Sequence, residues 1–167
     1  MEQKNRKLIL TVVVLLFASV TIIFMKTTFD NYTEFLRAIH GMEGYLIDLE
    51  IEGNTVVLTF RFKNESTWEL YLVNVQFNLY ANREFMGNFD TRKRVLLETG
   101  ETEVVVSAEV HPRYVKELTG QEDTTLQSFV YDRSGGITWY LYGGAVIELP
   151  FEEETRNIDI IEQWVST

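Results

Sequence analysis

The chain has 167 residues, a formal net charge of −10 and no cysteine. Without cysteine there is neither a disulfide framework nor a thiol nucleophile, so any folded part is held by packing alone. The acidic balance disfavours nucleic acid and anionic lipid surfaces as partners, because their phosphates repel excess carboxylates. An apolar fraction of 46% with 13% aromatic residues is that of a globular chain rather than a disordered one.

Residues 1–7 carry Lys4, Arg6 and Lys7, and the uncharged run Leu8–Met25 follows. As a helix this run spans about 27 Å, close to the hydrocarbon thickness of a bilayer. Its polar members Thr11, Ser19 and Thr21 can bond back to helix carbonyls. The basic residues before it orient residues 1–7 to the cytoplasm and everything after residue 25 outward, in the cell membrane as a single-pass protein. A cleaved signal peptide shares this charge pattern, but the run exceeds a usual apolar core and no small-x-small site ends it. The anchor is therefore preferred, with the lipid bilayer as partner through residues 8–25.

Residues 26–43 form the juxtamembrane segment, with a separate short helix expected over residues 28–41. Asp30 or Asn31 would cap it and Gly41 would stop it. From Tyr45 the apolar period changes to two. Tyr45, Ile47, Leu49 and Ile51 lie on one side, and Gly53-Asn54 then turns the chain into Val56, Leu58, Phe60 and Phe62. A long strand runs from Trp68 to Leu79, with its apolar parity inverted between Leu72 and Val73, which implies a bulge or a change of sheet. Phe85–Phe89 follows a turn, and Val104, Val106, Ala108 and Val110 alternate cleanly. One or two short helices fit the stretch between His111 and Gly136. Ile137–Tyr142 alternates, Gly143-Gly144 interrupts it, Ala145–Leu149 resumes, and a last strand covers about residues 156–164. The pattern predicts a mainly β domain over residues 44–167: a sandwich of about seven strands with one inserted helical segment.

Three stretches resemble the late-embryogenesis-abundant type 2 family, also called the water-stress and hypersensitive-response domain. The run Asn64–Tyr80 (NESTWELYLVNVQFNLY) resembles its Asn-Pro-Asn turn and following strand, with Glu65 and Ser66 in place of the Pro and second Asn. Leu97–Thr102 (LETGET) and Trp139–Ile147 (WYLYGGAVI) resemble its later strand start and its final strand. The likeness covers roughly residues 44–163. It implies an immunoglobulin-like or fibronectin-III-like sandwich, no catalytic residues, and an association with desiccation or stress. Family members anchored by one N-terminal helix have the same layout.

No constellation in the sequence carries enzymatic chemistry. His40 and His111 have no metal-like spacing to another ligand and read as structural or solvated. Asp132–Gly136 lacks the lysine of a phosphate loop and reads as a turn, and Glu152-Glu153-Glu154 as a hydrated edge. The catalytic, cofactor and metal sets are therefore empty. Two sequons, at Asn31 and Asn64, would lie outside the cell under the proposed topology. Tyr71, Tyr140 and Tyr142 fall opposite the core stripe. They either mark an interaction surface or pack beneath the 112–130 helical segment, and the second is preferred.

The sequence thus reads as a non-enzymatic, membrane-tethered, extracytoplasmic sandwich acting as a protective or interaction module. The alternatives are a structural subunit of a larger envelope assembly, with a protein partner or self-association, and a lipid- or small-ligand-binding sandwich with a cavity between its sheets.

Overall fold

The computed structural model describes residues 2–132, 136–150 and 155–166. The Glu152-Glu153-Glu154 edge and most of the Asp132–Gly136 turn lie outside the described residues.

A single helix, α1 (Glu2–His40), replaces the expected anchor followed by a separate juxtamembrane helix. No Gly or Pro stands between residues 25 and 32 to break it. The Thr27 and Thr28 hydroxyls donate to the carbonyls of Ile23 and Phe24, at 3.0 and 2.9 Å, so the polar stretch stays helical instead of starting a new cap. Gly41 ends the helix as expected, its amide donating to Arg37 O at 2.8 Å. A side chain at Gly41 would meet Glu65 Cβ at 2.9 Å, so the helix end lies directly against the turn that follows the second strand.

Among the described residues eight strands follow, in two antiparallel sheets. The smaller has the order β1 (Met42–Glu52), β2 (Thr55–Asn64), β6 (Gly100–Glu109). The larger has the order β4 (Glu84–Thr91), β3 (Leu70–Ala81), β7 (Ile137–Glu148), β8 (Thr155–Ser166), with β5 (Val95–Leu97) beside the first residues of β3. The short β5 was not foreseen, because three residues show no period. Helices α2 (Pro112–Thr119) and α3 (Leu126–Tyr131) fill the connection between β6 and β7, where one or two helices were expected.

The inverted parity of β3 is a bulge. Register with β7 slips between Leu72 and Asn74, and Leu70, Leu72, Val75, Phe77 and Leu79 are all buried. A second bulge, at Ile47, was missed. β1 begins at Met42, and its buried residues are Met42, Leu46 and Leu49, so Tyr45 and Ile47 do not share the core face expected for them. An alternating apolar reading cannot find a bulge when the inserted residue is itself apolar. Nor do Gly143 and Gly144 interrupt β7: pairing with β3 and β8 runs through both.

Between the sheets Leu58, Phe60, Leu79, Trp139 and Leu141 are each no more than 1% exposed. Burial of these side chains contributes roughly 1.5–3 kcal/mol each. The cavity that a lipid-carrying sandwich requires is thus filled at its centre by packed side chains.

Candidate functional site

Two regions outside the core are built beyond what folding requires. The first is the junction of helix and sandwich. Asn64, only 2% exposed, donates from Nδ2 to Trp68 O at 2.8 Å and Leu97 O at 3.0 Å. Its Oδ1 accepts from Ser66 N and Oγ, at 3.0 and 2.7 Å. Thr99 Oγ1 donates to Ser66 O at 2.9 Å. One buried amide therefore ties the end of β2 to β5 in the other sheet. Both Nδ2 protons are engaged, so in the folded domain Asn64 is not an accessible glycan acceptor. Asn31 is exposed on α1.

Glu34 fastens the helix to this turn. Its Oε2 accepts from Thr67 N and Oγ1 at 2.8 and 2.9 Å, and Oε1 accepts from Arg37 at 2.6 Å. The Thr67 amide, then the Thr67 hydroxyl and Arg37, hold the Glu34 carboxyl below the usual carboxylate range. Ala38, beside it, is 1% exposed.

The second region is the outer face of the larger sheet. Its cross-strand rows are Tyr80–Tyr140–Gln163, Asn78–Tyr142–Ile161, Gln76–Gly144–Asp159 and Asn74–Val146–Asn157. Asn88 Nδ2 donates to Asn78 Oδ1 at 2.8 Å. Tyr80 packs edge-on against Tyr142 at 5.8 Å and Phe85 at 5.5 Å, and Phe85 against Tyr114 of α2 at 5.4 Å. Helix α2 thus covers the Phe85 end and leaves Tyr142 47% exposed. Of the three tyrosines named from the sequence, Tyr142 is exposed and Tyr71 and Tyr140 are half-buried. It is Phe85 and Tyr114, not singled out from the sequence, that make the helix contact. Tyr71 is separated from the other two: it pairs with Glu148 at the opposite end of β7 and lies under the Arg94 guanidinium, 4.3 Å from the ring centroid.

The face of the smaller sheet differs in chemistry. Its rows are Glu43–Lys63–Glu101, Tyr45–Arg61–Glu103, Asp48–Thr59–Val105, Glu50–Val57–Ser107 and Glu52–Thr55–Glu109. Arg61 bonds Glu103 at 2.7 Å and approaches Glu101 at 3.5 Å.

The histidines have structural surroundings. His111 Nδ1 accepts from Arg113 N at 3.2 Å as the N-cap of α2, and His40 closes α1. Among the described residues no three His, Asp or Glu side chains converge as a metal would need.

A two-sheet antiparallel sandwich, with an Asx turn leading from the smaller sheet to the larger and a helical insertion before β7 and β8, defines a fold class with solved members. The solution structure of a putative late embryogenesis abundant protein aligns over 89% of this chain and 83% of its own, at 17% identity and a TM-score of 0.53. A second solution structure, of an Arabidopsis thaliana protein, covers 74% and 76% of the two chains at 14% identity and a TM-score of 0.52. The chain therefore has the late-embryogenesis-abundant type of fold that the Asn64–Tyr80 run suggested. No family model matches the sequence, and no curated protein matches it.

Proposed function

We propose that this protein is a membrane-tethered, non-enzymatic sandwich of the stress-associated type, held outside the cytoplasm as a protective or interaction module. Its likeness in fold to a late embryogenesis abundant protein is the observation that carries the reading. Two further features support the tether. The window of highest hydropathy in α1 is wholly unburied by the rest of the chain, as expected of a helix that uses lipid for its partner. Helix α1 also runs unbroken from the apolar run to the Glu34–Thr67 clasp and the close approach at Gly41, so that run is continuous with the segment packed on the sandwich.

The test has two arms. Fragment 27–167, which keeps Glu34 and the whole sandwich, should preserve the activity of a labile enzyme through drying and rehydration, and deletion of the gene should lower survival of desiccation. A fragment that protects no better than an unrelated acidic protein, with deletion leaving survival unchanged, would remove the protective role. Protease added to intact cells should digest the sandwich; full resistance there, with digestion only after lysis, would reverse the topology.

A further inference from the structure

We propose that the outer face of the larger sheet is a binding site for a neutral polysaccharide, with Tyr140 and Tyr142 as stacking platforms. The proposal rests on the extracytoplasmic interaction reading and supplies its ligand class.

Two grooves that share Tyr142 lie along this face and together make up a trough. Tyr80, Arg83, Tyr140 and Tyr142 line a groove of about 440 Å3. Tyr142 also lines a second groove of about 390 Å3 that continues along Gln76, Asn78, Asn88, Gly144 and Asp159. From the Tyr80 row to the Asn74 row is about 20 Å along the strands, a length suited to an oligomer rather than a single small ligand. The floor is bare backbone at Gly144, which stands in the outward register between Gln76 and Asp159. A Cβ there would lie 2.5 Å from Ile158 O, so no side chain can occupy the position.

The lining chemistry selects the ligand. A chain of hexoses offers C–H faces that stack on aromatic rings and hydroxyls that both donate and accept. Amides do both in return. Asn78 Nδ2 and Asn88 Oδ1 have no protein partner among the described residues, while the Asn88–Asn78 bond fixes the two side chains relative to each other. Among the described residues that line the trough, Asp159 and Arg83 are the only charged ones, in a protein whose opposite face is dense in carboxylates. A charged partner would find little to pair with there; a neutral, hydroxyl-rich one loses nothing. Arg83 reaches the trough from a turn position with φ +76°, where glycine is the unstrained choice. The backbone there tolerates a side chain at a conformational cost, as functional sites do.

Position agrees with this ligand. The anchor joins the sandwich at Thr67, and β3 runs away from that junction, so Tyr80 stands about 33 Å beyond Leu70. The tyrosine end of the trough is therefore the end farther from the helix junction.

The experiment is calorimetric titration of the full chain, in micelles of a detergent without a sugar head group. The titrants are oligomers of glucose, mannose and galactose, with hexuronic acid oligomers of equal length as charged counterparts. At least one neutral series should bind, with affinity rising with oligomer length, and the uronic acids should bind more weakly. Tyr142→Ala should lower affinity about tenfold, Tyr142→Phe should retain most of it, and the Tyr140→Ala/Tyr142→Ala pair should abolish it. Arg61→Ala, on the other sheet, should leave it unchanged. Melting curves identify any variant that has lost its fold. Binding by none of the neutral series, or binding that survives the double substitution, overturns the proposal. So does a Tyr142→Ala variant that changes only the oligomeric state in sedimentation, since Tyr142, Ile161 and Val165 would then be a contact between copies. Failure here leaves the drying assay to judge the protective reading by itself.

Discussion

The two sheets solve the inward problem identically and the outward one differently. Both alternate buried and outward residues with period two, yet one outer face is ruled with Glu43, Asp48, Glu50, Glu52, Glu101, Glu103 and Glu109, and the other with tyrosines and amides. Solubility explains the first face: interspersed charge on an exposed sheet prevents association. It does not explain the second, where Tyr142, Ile161 and Val165 are 47%, 69% and 53% exposed. A sparsely charged, partly apolar face kept on an otherwise acidic domain is what the proposed ligand would cover. The difference lies wholly in outward residues, so substitutions on the two faces should separate function from stability.

The largest effect is expected at the glycine pair. A Cβ at Gly143 would meet Gln76 O at 2.1 Å and Phe77 Cα at 2.5 Å, both backbone atoms of β3. Gly143→Ala should therefore lower the unfolding free energy by at least about 3 kcal/mol in denaturant titration. Thr59→Ala, at the centre of the smaller sheet, should change it by no more than about 1 kcal/mol. Equal losses at the two sites would show that the close approach of β3 and β7 is not what the glycines serve.

Next in size is Asn64, where the two sheets are stitched together. Asn64→Ala removes the donor to two buried carbonyls and the acceptor of the Ser66 groups, and should cost about 2 kcal/mol. Asn64→Asp, which keeps the acceptor but sets a buried carboxylate oxygen against the Trp68 and Leu97 carbonyls, should cost at least as much as alanine at neutral pH; an aspartate variant that recovers most of the loss would place the weight on the Ser66 bonds instead.

The hairpin turns offer a finer comparison. Each sheet has one two-residue turn: Gly53-Asn54 with Gly53 at φ +61°, and Asn82-Arg83 with both residues at positive φ, +48° and +76°. Arg83→Gly relieves strain and should raise stability by about 0.5–1 kcal/mol, while weakening oligosaccharide binding by removing a trough side chain. A stabilised variant with unchanged binding would limit Arg83 to the turn.

How far the sequence discloses all this follows from which signals are local. The long apolar helix, the alternation of β2 and β6, the bulge of β3 and the helical insertion are legible because each rests on a local run or period of apolar residues. The Ile47 bulge, β5 and the unbroken course of α1 are not. They depend on an apolar residue that fits either face, on pairing with a distant strand, and on threonines that can cap or continue a helix. For the candidate face, Tyr140 and Tyr142 were visible by parity. Tyr71 shared that parity but sits at the other end of the sheet, since alternation reports the face and not the position along it. Asn78, Asn88 and Gly144 join the tyrosines only through cross-strand register, which no single segment encodes.

The smallest effect expected is local and depends on pH, at the place where the helix reaches the turn between the two sheets. Bonds from the Thr67 amide and hydroxyl and from Arg37 favour the ionised form of Glu34, so its folded-state pKa is lowered. A lowered acidic pKa means that the contribution is complete above the group's ordinary value and is lost as pH falls through the folded value. Global unfolding should hardly register this, because the core does not pass through Glu34. Hydrogen exchange at the Thr67 amide should register it: protection, corrected for the intrinsic rate, should persist at neutral pH and fade on acidification below the usual carboxylate range. Glu34→Gln should flatten that pH dependence. If protection at Thr67 ignores both acid and the substitution, the helix is held by Ala38 and the Gly41 contact instead. The end of α1 would then owe its stiffness to packing against the smaller sheet rather than to a charged clasp at the seam between the two.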